Sequence, residues 1–136
     1  MTVRTRGAAL ALAIDLAATL VFVVTGRGSH NEDASLIGLL VTWWPFAAAL
    51  ALGWLLTSAW KRPFGVLWPG VGIWLVTVVG GMLFRVISGQ GTAVPFVLVA
   101  TIALALLLVG WRAVAVLVRR RRRMTPDRSP ETERYS

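Results

Sequence analysis

The sequence predicts an all-α integral membrane protein, a bundle of four transmembrane helices with both termini in the cytoplasm. Of the 136 residues, 57% are apolar and 15% are charged, a composition too hydrophobic for an ordinary soluble domain. The apolar residues are gathered into four blocks, and each block is long enough to cross a bilayer, which takes about 20 residues. The basic residues lie at the ends of these blocks, where charged residues determine membrane topology.

The four spans are predicted at about residues 7–25, 36–59, 65–86 and 93–118. They form one transmembrane domain, residues 1–118, followed by a basic, disordered cytoplasmic tail over residues 119–136. The alternative for the first block is a signal peptide, since Arg4 and Arg6 precede it. Against this alternative, the block is long, contains Asp15 and lacks a clear A-x-A cleavage site.

The even number of spans places both termini on the same side of the membrane. The basic residues that fall on this side are Arg4, Arg6, Lys61, Arg62, Arg119, Arg120, Arg121, Arg122 and Arg123. Arg27 and Arg85 fall on the other side. Because cytoplasmic segments carry an excess of Lys and Arg, we expect cytoplasmic termini and a multi-pass protein of the cell (plasma) membrane.

The first span contains one ionisable residue, Asp15, whose charge costs roughly 2.5–3.5 kcal/mol at the centre of a membrane helix. Asp15 lies about 12 Å from the cytoplasmic boundary, at a rise of about 1.5 Å per residue. Arg112, in the fourth span, lies about 9 Å above the same boundary. We therefore expect an ion pair between the first and last helices. The alternative is that Arg112 extends alone to the headgroups while Asp15 is protonated or bonds to Thr19.

In the second span, Pro45 lies inside the predicted helix and is expected to kink it, because proline removes a backbone hydrogen bond. Trp43 and Trp44 lie deeper than an interfacial tryptophan requires. At least one of these two side chains is expected to pack inside the bundle or to face a cavity.

The third span carries a line of polar and small residues along one helix face: Gly70, Trp74, Thr77, Gly81 and Arg85. Their spacing of 4, 3, 4 and 4 residues keeps them on one side of an α-helix. This face is expected either to pack closely against neighbouring helices or, as the alternative, to line a crevice that opens outward.

The connections between spans hold the remaining candidate residues. The first outer loop, "GRGSHNEDAS", contains the single histidine, His30, beside Glu32 and Asp33. One histidine and two adjacent acidic residues in a loop are weak evidence for a metal-binding site, so we expect a solvated loop and no metal site. His30 and Arg27 are kept as candidate outer-loop residues.

Composition also excludes several classes of function. The chain has no cysteine, which excludes disulfides, thiolate catalysis and iron–sulfur sites. The net charge of +8 does not indicate nucleic-acid binding, because the basic residues cluster at the ends of apolar blocks. The expected partners are the phospholipid bilayer and anionic inner-leaflet lipids, whose headgroups bind the run from Arg119 to Arg123.

Several short motifs carry a family resemblance over about residues 8–118. They are Asp15, Gly26-Arg27 followed by His30, Trp44-Pro45-Phe46, Gly81 with Arg85, Gly89-Gln90-Gly91-Thr92 before Phe96, and Gly110-Trp111-Arg112. Together they resemble the DUF3054 family, a group of uncharacterised small polytopic membrane proteins. The resemblance implies no activity, and the arginine run lies outside it.

Two functional classes remain after these exclusions. We expect a structural or accessory membrane subunit, not an enzyme, that needs no cofactor and uses the Asp15–Arg112 pair to hold its helices. The alternative is a small oligomeric transporter or ion- or proton-handling protein with Asp15 as its protonatable site. The candidate protein partners are further copies of the same chain, in a homo-oligomer, or another membrane protein.

The topology can be tested directly, because the absence of native cysteine makes single-cysteine variants unambiguous. Ser29→Cys is expected to react with a membrane-impermeant maleimide in intact cells, whereas Ser129→Cys is expected to react only after lysis. Labelling of position 129 from outside would show that the predicted orientation is wrong.

Overall fold

A computed structural model of the chain describes residues 2–29 and 35–124. The helices in these residues are α1 (Val3–Ser29), α2 (Leu36–Thr57), α3 (Gly72–Ile87), α4 (Val94–Leu104) and α5 (Gly110–Met124). A π-helical turn, Ala105–Val109, joins α4 to α5, and an irregular turn, Val66–Val71, leads into α3. The described residues therefore contain four segments long and apolar enough to cross a membrane. The predicted all-α membrane bundle is confirmed, while the orientation of its termini stays a prediction.

The membrane-spanning segments differ from their predicted bounds mainly at the two ends of the chain. The first segment, Val3–Gly28, begins before residue 7, and the last, Val94–Met124, continues beyond residue 118. The expected disorder therefore does not begin at Arg119, because arginine is a good helix former and simply extends the helix that precedes it. Residues 125–136, the rest of the predicted tail, lie outside the described residues, as does His30.

The two ends of the bundle differ in charge. We call the end that carries Lys61, Arg62 and the run from Arg119 to Arg123 the basic end, and the end that carries the 88–93 turn the loop end. At the basic end, Ser58 closes α2 in the left-handed conformation (φ 52°, ψ 47°). At the loop end, Gly89 adopts φ 78°, a conformation that glycine accepts without steric cost.

Close packing between the second and third spans depends on small residues. A Cβ atom at Gly81 would lie 2.7 Å from Cδ1 of Phe46, and one at Gly80 would lie 3.0 Å from Cβ of Ala49. Phe46 itself is fully buried. Glycine at these positions lets the helices approach, which is how membrane helices gain contact in the absence of a hydrophobic driving force.

Large apolar side chains face outward along every span. Leu55, Leu83 and Leu106 are all exposed at the surface of the described structure. In a soluble domain such an apolar exterior would be a liability, whereas in a bilayer it meets lipid tails. The chain is therefore a multi-pass membrane protein.

Candidate functional site

The most conspicuous polar feature is an ion pair inside the bundle, between Asp15 of α1 and Arg112 of α5. Arg112 donates from Nη2 to Asp15 Oδ2 at 2.7 Å and from Nη1 to Oδ1 at 2.9 Å. Both side chains are 0% exposed. The two residues predicted to lie at one depth are thus joined in the two-pronged geometry that matches a guanidinium to a carboxylate.

Two tryptophans complete the hydrogen bonding of the Asp15 carboxylate. Trp54, near the end of α2, donates from Nε1 to Oδ2 at 2.8 Å. Trp111, at the start of α5, donates from Nε1 to Oδ1 at 2.8 Å. Each carboxylate oxygen therefore accepts two hydrogen bonds, which fills the roughly four acceptor positions of a carboxylate.

Arg112 is held by further acceptors at the basic end. Its Nε donates to the Pro63 carbonyl at 3.0 Å, and its Nη1 also donates to the Leu108 carbonyl at 2.8 Å. A Cβ at Gly70, in the turn before α3, would lie 3.1 Å from Cδ of Arg112, so the third span also touches this side chain. These contacts bring all four spans together around the ion pair. We call the four side chains at its centre the Asp15 network: Asp15, Trp54, Trp111 and Arg112.

The π-helical turn explains how Arg112 comes to face the bundle interior. Ala100, Leu104, Leu108 and Arg112 are all fully buried and are spaced by four residues. In an α-helix three such steps would rotate the last side chain by about 120° from the first, because each residue turns the chain by about 100°. In the π-turn, Gly110 N–H donates to the Ala105 carbonyl, five residues back. That extra residue offsets most of the rotation and keeps the buried stripe on one face.

Thr19 does not bond to Asp15, contrary to the alternative drawn from the sequence. Its hydroxyl donates to the Leu16 carbonyl at 2.8 Å and accepts from Nε1 of Trp43 at 3.0 Å. Trp43 therefore packs inside the bundle, as expected of at least one member of the Trp43–Trp44 pair. Trp44 is 42% exposed.

The polar line of the third span serves mainly in helix packing. Trp74 donates from Nε1 to the Thr101 carbonyl at 2.9 Å, which ties α3 to α4. Thr77 is fully buried, and within the described residues its hydroxyl makes no hydrogen bond. Gly70 and Gly81 admit Arg112 and Phe46 respectively. Arg85 is the member of this line that lines a cleft.

That cleft lies at the loop end, between α1 and α4, and has a volume of about 710 Å³. Arg27 and Arg85 line it together with Phe22, Phe96 and Val99. Arg27 donates from Nη1 to the Thr42 hydroxyl at 2.7 Å. We call this space the loop-end cleft.

Arg85 is fixed at the edge of the loop-end cleft by the turn that follows α3. Its Nε and Nη2 donate to the Gly91 carbonyl at 3.0 and 2.7 Å, and its Nη1 donates to Oε1 of Gln90 at 3.0 Å. The guanidinium carbon lies 4.4 Å from the centre of the Phe96 ring. This is a cation–π geometry, in which the ring face favours the positive charge.

Sequence reasoning missed the two tryptophans of the Asp15 network. A signal was present, because an indole N–H deep in a span needs an acceptor, and the Asp15 carboxylate is one of few acceptors in the membrane.

In residues 2–29 and 35–124, no group of three or more His, Asp or Glu residues is placed to hold a metal ion.

Comparison with known proteins identifies a family for this chain. Residues 12–115 match the family described as Protein of unknown function (DUF3054), and the chain belongs to that family. The Asp15 network and the arginines of the loop-end cleft lie inside the matched region, whereas the run from Arg119 to Arg123 lies beyond it. Neither a curated protein nor a solved structure matches the chain.

The Trp54 hydrogen bond can be tested by removing its donor. Trp54→Phe is expected to lower the free energy of unfolding in detergent by about 1.5–3 kcal/mol, because a hydrogen bond to a charged acceptor is lost inside the bundle. Trp44→Phe is the matched control at a 42% exposed position, with an expected change of about 0.5 kcal/mol or less. Equal losses in the two variants would show that the indole bond to Asp15 does not stabilise the fold.

Proposed function

We propose that this member of the DUF3054 family is a structural or accessory subunit of the cell (plasma) membrane, and neither an enzyme nor a transporter. The observation that carries the proposal is the saturation of the Asp15 carboxylate. It accepts two hydrogen bonds from Arg112, one from Trp54 and one from Trp111. A carboxylate with all of its acceptor positions filled holds the helices that supply the donors in a fixed arrangement.

The alternative, a proton- or ion-handling protein, would require Asp15 to exchange with water or with a transported ion. Asp15 is 0% exposed, and none of the residues that line the loop-end cleft belongs to the Asp15 network. Exchange would therefore require several buried hydrogen bonds to break together. This cost favours a structural role for the pair.

The position of the basic residues supports cytoplasmic termini and contact with anionic lipids. Arg4 and Lys61 border one pocket at the basic end, and Arg119 lies over the Phe64 ring, 4.3 Å from its centre. Each basic residue near an anionic leaflet contributes about 1 kcal/mol of attraction. In this proposal the helical run from Arg119 to Arg123 anchors the last span to the inner leaflet. The accessory role also implies a partner, either a second copy or another membrane protein.

A double-mutant cycle combined with a flux assay tests the proposal. Asp15→Asn and Arg112→Gln are each expected to destabilise the protein by about 3–5 kcal/mol, because breaking a buried pair leaves its partner uncompensated. The double variant is expected to lose less than the sum of the two, through a coupling term of the size seen for contacting residues. Arg119→Gln, outside the network, serves as the control and is expected to add independently.

The flux assay uses the wild-type chain and Asp15→Asn reconstituted in liposomes with a trapped pH-sensitive dye. A structural subunit is expected to give the proton leak of empty liposomes in both cases. Proton or ion flux that is lost in Asp15→Asn would overturn the proposal in favour of the transport alternative, as would strictly additive losses of stability.

A further inference from the structure

We infer that a pocket at the basic end is a binding site for the phosphate headgroup of an anionic phospholipid in the leaflet at that end. The residues that line it are Thr2, Arg4, Thr5, Ala8, Trp60 and Lys61, and we call it the basic-end pocket. Its volume of about 370 Å³ lies within the usual range for small-molecule sites, roughly 300–1,000 Å³. The site rests on the lipid contact of the proposed function, from which it takes its class of partner, and gives that contact a defined position apart from the arginine run.

The basic-end pocket is lined by two cations from separate segments. Arg4 lies in the first turn of α1, and Lys61 ends the turn Ala59–Lys61 that follows the second span. Both side chains border the same space, so one anionic group placed there meets a guanidinium and an ammonium together. A guanidinium can bind two oxygens of a phosphate in a fixed plane, and an ammonium adds a compact charge beside it. This pair of cations suits a phosphate group.

The charge balance of the chain leaves the basic end in need of an external anion. Among the described residues Asp15 is the one acidic side chain, and its carboxylate is already bonded within the Asp15 network. Residues 125–136 contain three acidic residues, Asp127, Glu131 and Glu133, whereas the basic end carries nine Lys and Arg residues over 4–6, 61–62 and 119–123. Pairing of all three acidic residues would still leave an excess of cations at this end. That excess attracts anionic lipid whichever pairs the chain itself forms.

The polar wall of the basic-end pocket also supplies a neutral donor. The hydroxyl oxygens of Thr2 and Thr5 lie 2.8 Å apart, and that of Thr2 accepts from the backbone N–H of Thr5 at 3.2 Å. Only one of the two hydroxyl hydrogens can lie between the two oxygens, so the other is left to donate to a ligand oxygen. The pocket therefore offers a hydroxyl donor beside its two cations.

Trp60 gives the basic-end pocket an apolar edge. Its side chain lines the pocket and is 44% exposed, as is typical of a tryptophan at the level of the lipid headgroups. A free phosphate ion gains nothing from an indole, whereas the glycerol and first acyl carbons of a lipid pack against one. The combination of cations and an exposed indole favours a phospholipid over a free phosphate.

The binding experiment uses the full-length chain in phosphatidylcholine nanodiscs, where both leaflets are accessible and orientation does not affect the result. A phosphatidylglycerol probe with a photoreactive group at the start of one acyl chain is added at a low fraction. Adducts are mapped by mass spectrometry after digestion with chymotrypsin, whose cleavage sites do not depend on Lys or Arg. A phosphatidylcholine probe with the same photoreactive group measures background labelling.

The anionic probe is expected to label the peptides that contain Ala8 and Trp60 roughly tenfold more than the neutral probe, because the choline group of the neutral probe is repelled by the two cations. Excess phosphatidylglycerol is expected to compete, and inorganic phosphate at the same concentration is not. Competition by inorganic phosphate would overturn the assignment to a lipid.

Paired variants separate the pocket from a general effect of charge. Arg4→Gln/Lys61→Gln is expected to lose the enrichment, and Arg4→Lys/Lys61→Arg is expected to keep most of it. The matched control, Arg6→Gln/Arg62→Gln, removes two exposed charges from the same two segments outside the pocket lining, and is expected to label as the wild type does. Equal losses in the two Gln variants would overturn the pocket and leave the general lipid contact of the proposed function standing. Absence of enrichment in the wild type would overturn both.

A further variant tests whether the acidic residues of the chain itself occupy the basic-end pocket. Asp127→Asn/Glu131→Gln/Glu133→Gln removes their carboxylates and is expected to leave the enrichment unchanged. A severalfold rise in labelling would show that residues 125–136 fill the pocket and would overturn the lipid assignment. The melting temperatures of the Arg4 and Lys61 variants are expected to equal that of the wild type, because both positions are exposed.

Discussion

The structure depends on a carboxylate that lies in the membrane and has all of its hydrogen bonds supplied by protein. Asp15 would be costly in lipid by itself. Its donors come from α2 and α5, and the guanidinium of Arg112 is in turn bonded to the connection between the second and third spans. Rotation or sliding of the first, second or fourth span would break one of these bonds. The pair therefore specifies the register of the bundle, a role for which buried charges are better suited than for net stability.

The same arrangement separates the two polar regions of the molecule. The Asp15 network lies towards the basic end, and the arginines of the loop-end cleft lie towards the other. Between them Phe22, Phe46 and Phe96 pack together, with ring centres 5.3 to 6.3 Å apart. Phe22 and Phe96 of this cluster also line the loop-end cleft, so apolar packing separates the two polar regions.

The sequence was sufficient to predict the four spans and the depth of Asp15 and Arg112, because rise per residue converts spacing into depth. Depth says nothing about the direction in which a side chain points around its helix. For that reason the contribution of Trp54, the position of the cleft between α1 and α4, and the placement of Arg27 and Arg85 on its lining emerged only from the packed helices. The π-turn at Ala105–Val109 has no composition that distinguishes it from an ordinary apolar helix. The structure places Arg119 to Arg123, which the sequence predicts as tail, in α5, because arginine has a high helix propensity despite its charge.

The most direct test of the central claim is nuclear magnetic resonance of the indole and guanidinium N–H groups in the detergent-solubilised full chain. The chain has seven tryptophans, so each indole signal can be assigned by single Trp→Phe substitutions. In Asp15→Asn, the N–H signals of Trp54, Trp111 and Arg112 are expected to move together and to exchange faster with solvent, while that of Trp74, which is bonded to the Thr101 carbonyl, stays in place. Unchanged signals from Trp54 and Trp111 in that variant would contradict the account, because they would show that Asp15 does not join these helices.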